Sequence, residues 1–241
     1  EIKIPLPLLA EQKRIVKILD DTFDKVVKAK ENAEKNLKNS KELFWSYLQS
    51  VFANPGKDWE EKKLGEVCDT GAGGTPLKSH KDYYQGGTIP WIRSGEVDKK
   101  DITTSELFIT KKGFENSSAR LFPPNTVLVA MYGATAGQVG ILRFESTTNQ
   151  AVCGILPCKN YLPEFIYYVF SSKKKELVKQ AVGGAQPNIS QIKIKNTIIP
   201  ILTLSEQKNI VKKLDVLSTE TKKLESIYQK KLEDLEELKK S

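Results

Sequence analysis

Few side chains in this sequence suit catalysis, and none is arranged to perform it. Histidine occurs once, at His80, with no Gly-x-Ser-x-Gly elbow to present a serine to it. Lys78, Lys81, Tyr83 and Tyr84 surround it, a setting suited to polyanion contact rather than proton transfer. Cys68, Cys153 and Cys158 follow no metal or disulfide spacing and read as reduced, buried thiols of a cytoplasmic protein. Gly133-Ala-Thr-Ala-Gly-Gln-Val-Gly140 has the glycines of a phosphate loop without the Gly-Lys-Ser/Thr ending whose lysine would reach the phosphates. It reads as a tight turn between two strands. Phe122-Pro123-Pro124-Asn125 holds the residues of a methyltransferase box in the wrong order, with no cofactor-binding glycine motif beside it. Asp98-Lys99-Lys100 lacks the preceding Pro-Asp of a nuclease site. The expectation is a chain without catalytic residues, metal or cofactor.

Basic, hydroxyl and amide side chains remain, and their chemistry is recognition. Lysine and arginine suit phosphates or guanine edges, and asparagine or glutamine suits adenine edges. The candidates are Thr75, Lys78, His80, Lys81, Tyr83, Arg93, Lys111, Lys112, Arg120 and Gln150. Thr75 lies in the Gly73-Gly74-Thr75-Pro76 turn, and Arg93, Lys111, Lys112 and Arg120 are expected in loops or at strand ends. Net charge is +8 over 241 residues. Residues 57–195 hold 19 Lys/Arg against 14 Asp/Glu, so most of the excess lies there, as on a surface that meets a polyanion. No apolar run approaches the roughly 20 residues of a membrane helix.

The elements that must position these groups follow from a long repeat. Leu9-Ala-Glu-Gln-Lys-Arg-Ile-Val-Lys-Ile-Leu-Asp20 returns as Leu204-Ser-Glu-Gln-Lys-Asn-Ile-Val-Lys-Lys-Leu-Asp215, nine of twelve positions being identical. Both copies follow an Ile-Pro pair, Ile4-Pro5 and Ile199-Pro200. The period far exceeds the 20–50 residues of a solenoid, so the unit is a domain plus the helix after it. The chain is then expected to start at the end of a preceding domain. From Leu9 to Phe52 there is no Pro or Gly, which reads as one helix ended by Asn54-Pro55-Gly56. At 1.5 Å per residue this rod is roughly 60 Å long. The second runs from Ser205 to about Lys240, with Thr203 and Glu206 spaced as a capping box that Leu8 breaks in the first copy.

Ile210, Leu214, Leu217, Thr221, Leu224, Tyr228, Leu235 and Leu238 make an a/d seam with Lys231 at the skipped position. Ile15, Leu19, Thr22, Val26, Ala29, Ala33, Asn36, Ser40 and Leu43 form its counterpart. Rods with one apolar stripe need a partner, either each other, antiparallel, or a second chain as a homodimer. Between them Thr126–Tyr132, Val139–Phe144 and Ala151–Leu156 read as buried strands, with Ile89–Ile92 and Leu107–Thr110 as shorter ones. Pro163 opens a helix to about Val182, and Gly183-Gly184 marks a turn. The fold class expected is α+β: a mixed globule over 57–200, flanked by helices over 1–56 and 201–241 that form an antiparallel coiled coil.

The whole chain resembles the DNA-specificity (S) subunit of type I restriction–modification systems. The motifs that carry this are Ala185-Gln186-Pro187-Asn188-Ile189-Ser190, Ile199-Pro200 and Leu204–Val211. Trp59, Leu64-Gly65, Gly73-Gly74-Thr75-Pro76, Ile89-Pro90-Trp91-Ile92 and Thr148-Asn149-Gln150 also fit. The resemblance implies a non-catalytic subunit whose two target-recognition domains, joined by antiparallel helices, each read half of a bipartite site in double-stranded DNA. It implies binding to two adenine methyltransferase (M) subunits, with restriction (R) subunits joining the complex. This chain departs from the pattern in having one such domain, as in a C-terminal half or a half-subunit that dimerises. A coiled-coil adaptor without DNA reading is the alternative, and DNA binding by the globule separates the two.

Overall fold

A computed structural model describes residues 6–54, 56, 59–179 and 188–239. Pro5, Pro55, residues 180–182, Gly183-Gly184, Ala185-Gln186-Pro187 and Lys240 lie outside the described residues. Two compact units are present: residues up to Tyr47 with those from Leu214 onward, and Leu48–Lys213.

The first unit pairs α1 (Leu9–Ala53) with the C-terminal helix, which spans Leu204–Leu238. Lys30, well before α1 leaves the unit at Tyr47, meets Glu236, far along the second helix, at 2.6 Å. The two rods therefore run antiparallel. Val26, Ala33 and Ser40, seven residues apart, are buried on α1, and Leu214 and Thr221 on its partner. The buried hydroxyls are satisfied within their own helices: Ser40 donates to the Asn36 carbonyl and Thr221 to that of Leu217. The expected seam is thus occupied at its centre. Its ends differ: Ile15, Leu19, Leu43 and Leu238 are exposed, as is Leu224 midway along the second seam, and Phe44 and Leu232 turn further inward than Leu43 and Leu238. The drift is what a 3.6-residue turn gives when read against a 3.5-residue repeat.

The second unit is layered. Chain order is β1 (Glu60–Lys63), β2 (Thr70–Ala72), β3 (Ile89–Ile92), β4 (Asp101–Ile102), β5 (Phe108–Ile109), α2 (Lys111–Glu115), β6 (Leu121–Phe122), β7 (Val127–Ala130), β8 (Val139–Leu142), β9 (Ser146–Thr148), β10 (Val152–Ile155), α3 (Pro163–Lys179), α4 (Gln191–Asn196), β11 (Ile198–Ile201), and then α5, the helix of Leu204–Leu238. A five-stranded sheet has the order β2-β10-β7-β8-β4, a four-stranded sheet β5-β3-β9-β6, and β1 pairs β11. The β4–β8 and β3–β9 pairs are parallel and the others antiparallel.

Strand alternation sends the five-stranded sheet's side chains into two cores. Val127, Val129, Val139, Ile141, Cys153 and Ile155 join Phe165, Ile166, Val169 and Phe170 of α3. Leu128, Ala130, Leu142 and Val152 join Ile92 and Phe122 of the other sheet. Burial on both faces is why these strands read as unbroken apolar runs. A Cβ on Gly154 would lie 2.5 Å from the Phe122 ring, so the two sheets close only over a bare backbone there. Arg143, just past β8, ties the edge together by bonding Asp101, Asn125 and Glu164 at 2.6, 2.8 and 2.7 Å. Asn125 adopts φ 69°, a left-handed conformation that asparagine tolerates.

The capping box at Thr203 is formed: Glu206 N–H donates to the Thr203 hydroxyl at 3.3 Å, and Thr203 N–H to the Glu206 carboxylate at 2.9 Å. The repeat's glutamine behaves alike in both copies, Gln12 donating to the Pro7 carbonyl and Gln207 to that of Leu202. Their surroundings differ. Gln207 is wholly buried, also donating to Asn160 O and accepting from Leu162 N–H. In the first copy Leu8, Leu9, Ile15, Val16 and Leu19 are all exposed.

Candidate nucleic-acid interface

Two glycines set the position of the loop that carries most of the candidates. The Gly73 and Gly74 N–H groups donate to Val152 O at 3.1 Å and Thr148 O at 2.9 Å. A Cβ on Gly73 would overlap Thr148 and Asn149, and one on Gly74 the Ser118–Ala119 backbone. Only glycine permits so close an approach. The indole N–H of Trp91 donates to Gly74 O at 2.9 Å, and the Tyr84 hydroxyl donates to Pro76 O at 2.6 Å. Tyr84 and Trp91 meet edge to face. The loop is pinned, and its outer side chains are presented on a fixed frame.

Thr75 emerges beside Gln150, and its hydroxyl donates to Gln150 Oε1. Burial raises the pKa of the Tyr132 phenol, and the exposed Gln150 amide nearby acts in the opposite direction. Arg120, exposed at the start of β6, lies over the Phe122 ring at 5.8 Å and against Gly71. Lys78 and Lys81 are exposed. Among the described residues Lys78, Lys81 and Arg120 have no carboxylate partner.

A second group surrounds the short 3-10 turn Lys81–Tyr83. His80 stacks on Tyr83 at 4.7 Å, and its Nδ1 is 3.7 Å from Asp82. Tyr83 is buried at 7% exposure, so it forms a platform beneath His80. Lys111 and Lys112 form the first turn of α2, not a loop or strand end, because Thr110 caps that helix by accepting from Gly113 N–H at 3.0 Å. The Thr110 hydroxyl also donates to Asp82 O at 2.9 Å, fastening the two turns together. Lys112 meets Asp82 at 2.6 Å and Lys111 meets Glu115 at 3.7 Å. The Lys112 ammonium holds the Asp82 carboxyl below its ordinary range, and Asp82 raises Lys112 in return.

Arg93 stands in an acidic frame. It bonds Glu106 at 2.9 Å and lies 3.8 Å from Glu96, whose carboxylate also accepts from the Arg93 and Glu106 backbone N–H groups. Beyond the stacked His80 and Tyr83, the other eight candidates divide by pairing. Lys78, Lys81 and Arg120 offer unpaired cations, Thr75 and Gln150 a coupled hydroxyl and amide, and Arg93, Lys111 and Lys112 are already matched to carboxylates. Tyr132, whose phenol lies near the Gln150 amide, carried no local sequence signal. The thiol pair was equally silent: Cys68 and Cys158 are hydrogen-bonded across 90 residues of chain. Among the described residues no group of three His, Cys, Asp or Glu side chains converges as metal ligands would. No described helix is long and apolar enough to cross a membrane.

The model of the type I restriction modification DNA specificity domain matches residues 56–234, a span containing all ten candidates. The EcoR124I/EcoR124II specificity subunit of Escherichia coli is 29% identical over 231 residues, covering 91% of this chain and 56% of that protein. The MjaIX specificity subunit of Methanocaldococcus jannaschii is 33% identical over 182 residues, covering 72% of this chain and 42% of that one. This chain thus spans about half the length of these curated relatives. The HsdS subunit from Thermoanaerobacter tengcongensis has a similar fold, with a TM-score of 0.68 at 22% identity, over 98% of this chain and 57% of that one. A chain from a type I R-M system, solved in a study of complex assembly and conformational transition, gives 0.78 at 23% identity, over 98% and 58%. On the extent of the family match, the chain belongs to the type I restriction modification DNA specificity domains.

Proposed function

We propose that this chain reads one half of a bipartite site in double-stranded DNA and is the non-catalytic specificity component of a type I restriction–modification complex. The observation that carries this is the placement of Lys78, Lys81 and Arg120, unpaired and exposed around a pinned loop, inside the span that matches a DNA specificity domain. Cations without carboxylate partners are free to neutralise phosphates, and the amide and hydroxyl groups beside them can address base edges. Residues 57–200 act as the target-recognition domain. The helices of residues 1–56 and 201–241 act as the spacer that docks methyltransferase subunits, through which restriction subunits join, in the cytoplasm where the DNA is. The bare first copy of the repeat is the place for a second domain of the same kind, supplied by a longer chain or by another copy in a homodimer.

Binding to duplex DNA, measured by fluorescence anisotropy across a salt series, tests the reading. Each phosphate contact contributes about 0.9 to the slope of log K against log salt. Replacing both Lys78 and Lys81 by alanine should therefore flatten the slope by about 1.8. Lys111 and Lys112 should contribute less, since Glu115 and Asp82 must first release them. No measurable duplex binding, or an unchanged slope in the double variant, would overturn the proposal. An adaptor would bind its protein partners with no DNA affinity at all.

A further inference from the structure

Two of the three cysteines, 90 residues apart in sequence, meet where β2 and β10 end their pairing. The ladder sets Cys153 opposite Ala72, Gly154 opposite Gly71 and Ile155 opposite Thr70. It runs one step further, Leu156 N–H donating to Asp69 O at 2.9 Å. The next positions, Cys68 on one side and Pro157-Cys158 on the other, are therefore neighbours across the pair. Both backbones are held there: Cys68 N–H donates to Leu64 O at 2.9 Å, and Cys158 O accepts from Tyr161 N–H at 3.4 Å. Cys68 belongs to the core beneath α3, and Cys158 packs against it. The two line one cavity of about 10 Å³ together with Val127, Ile155, Tyr161 and Ile166, room for about one water. Both are free thiols, Cys68 buried and Cys158 half-buried.

We infer that Cys68 and Cys158 are a preformed dithiol that hydrogen peroxide closes into an intramolecular disulfide, a reversible oxidation site within the domain. Cys158 is the sulfur that meets the oxidant, because it is the more exposed of the two. The Cys68 thiol, with the Asn160 and Tyr161 N–H groups, also lowers its pKa to about 7 against burial, and the thiolate is the nucleophile. Its attack on one peroxide oxygen breaks the O–O bond, and the departing hydroxide takes up a proton as water. Cys158 is then a sulfenic acid. The Cys68 sulfur attacks the Cys158 sulfur, the S–O bond breaks, and hydroxide leaves with the Cys68 proton as a second water. The thiols lose two electrons and two protons, and one peroxide is reduced to two waters. Cys153 takes no part: it is wholly buried within β10, and burial pushes its pKa up to about 12. In a reducing compartment such a bridge is transient and reports oxidant. The loop it closes holds all ten candidate DNA contacts, between residues 75 and 150, and closing a long loop restricts the unfolded chain.

The test treats the full reduced chain with stoichiometric hydrogen peroxide, blocks remaining thiols with iodoacetamide, and reads tryptic peptides by mass. Trypsin leaves Cys68 in residues 64–78 and both other cysteines in residues 144–159, so fragmentation between Cys153 and Cys158 assigns the bond. The expected product is one linked pair joining Cys68 to Cys158, with Cys153 alkylated, and dithiothreitol should abolish it. Oxidised protein should melt about 5–15 °C above reduced protein. Cys68→Ser, which has no second sulfur to resolve the sulfenic acid, should instead accumulate sulfinic acid at Cys158. A bond to Cys153, a bond between two molecules, or no linked pair at all would overturn the inference. So would sulfinic acid forming at Cys158 as fast in wild type as in Cys68→Ser. Linked protein that melts no higher than reduced protein would do the same, because the sulfurs would then be joined only by distorting the fold.

Discussion

Gln207 offers the sharpest energetic test because the repeat supplies its own control. The side chain is fully buried and makes three bonds to backbone: to Leu202 O at 2.9 Å, to Asn160 O at 2.8 Å, and from Leu162 N–H at 2.9 Å. Gln207→Ala removes all three. Asn160 is exposed and its carbonyl can turn to water, but the Leu162 N–H and Leu202 C=O are left without partners. A stranded buried group costs about 1–3 kcal/mol, so two put the loss at about 2–6 kcal/mol. That is a large share of the roughly 5–15 kcal/mol that holds a domain folded. For a domain of this size it corresponds to a fall in melting temperature of about 5–20 °C. Gln12→Ala, at the equivalent position, removes one bond to Pro7 O on an exposed helix end and should fall within about 0.5 kcal/mol of wild type. Gln207→Glu should be worse than alanine at neutral pH, because a carboxylate would face two carbonyl oxygens. Burial and those oxygens raise its folded-state pKa, so the deficit should shrink as pH falls and the acid regains a donor. Urea melts followed by circular dichroism read all three variants. A Gln207→Ala protein within about 0.5 kcal/mol of wild type, or a Gln12→Ala protein equally destabilised, would refute the burial argument.

Three further outcomes are expected. The Cys68 thiol, hydrogen-bonded to Cys158, lowers the Cys158 pKa to about 7, against the opposing effect of burial and with help from the Asn160 and Tyr161 N–H groups. Iodoacetamide labelling of Cys158, read by peptide mass, should therefore rise with pH through about 7, and Cys68→Ala should move the rise upward. Gly154→Ala drives a methyl into the fully buried Phe122 ring and should cost about 1–3 kcal/mol by thermal melting. A melting curve unchanged in that variant would show that the two sheets do not close over residue 154. Thr203→Ala removes the cap of α5 and should cost about 0.5–2 kcal/mol, whereas Leu8→Ala, where no cap exists, should leave stability nearly unchanged.

The sequence by itself determined the long elements and the family. Forty-odd residues without Pro or Gly dictate a helix whatever surrounds them, and the Thr203–Glu206 spacing fixes where its counterpart begins. Val127–Ala130, Val139–Leu142 and Val152–Ile155 were legible as strands because burial on both faces leaves an apolar run too dense to miss. The motifs around Gly73-Gly74-Thr75-Pro76 and Leu204–Val211 were legible because backbone crowding and a buried glutamine admit few substitutes. Of the strands of two or three residues, β5 was legible within Leu107–Thr110, but β4, β6 and β9 carry no periodicity, and only pairing to distant neighbours creates them. The same holds for the pairing of β1 with β11, whose Glu-Glu-Lys-Lys sequence gives no strand signal.

Tertiary structure also decided what each candidate side chain is free to do. Composition counts Arg93, Lys112, Lys78 and Arg120 alike as cations. The fold places Glu96 and Glu106 against the first and Asp82 against the second, and leaves the others unmatched. It likewise sets Thr75 beside Gln150, and buries Gln207 and Leu214 of one repeat copy while leaving Leu19 of the other exposed. Each of these outcomes depends on which groups lie within a few ångströms. Coulombic and hydrogen-bond energies fall off over that distance, and separation along the chain does not encode it.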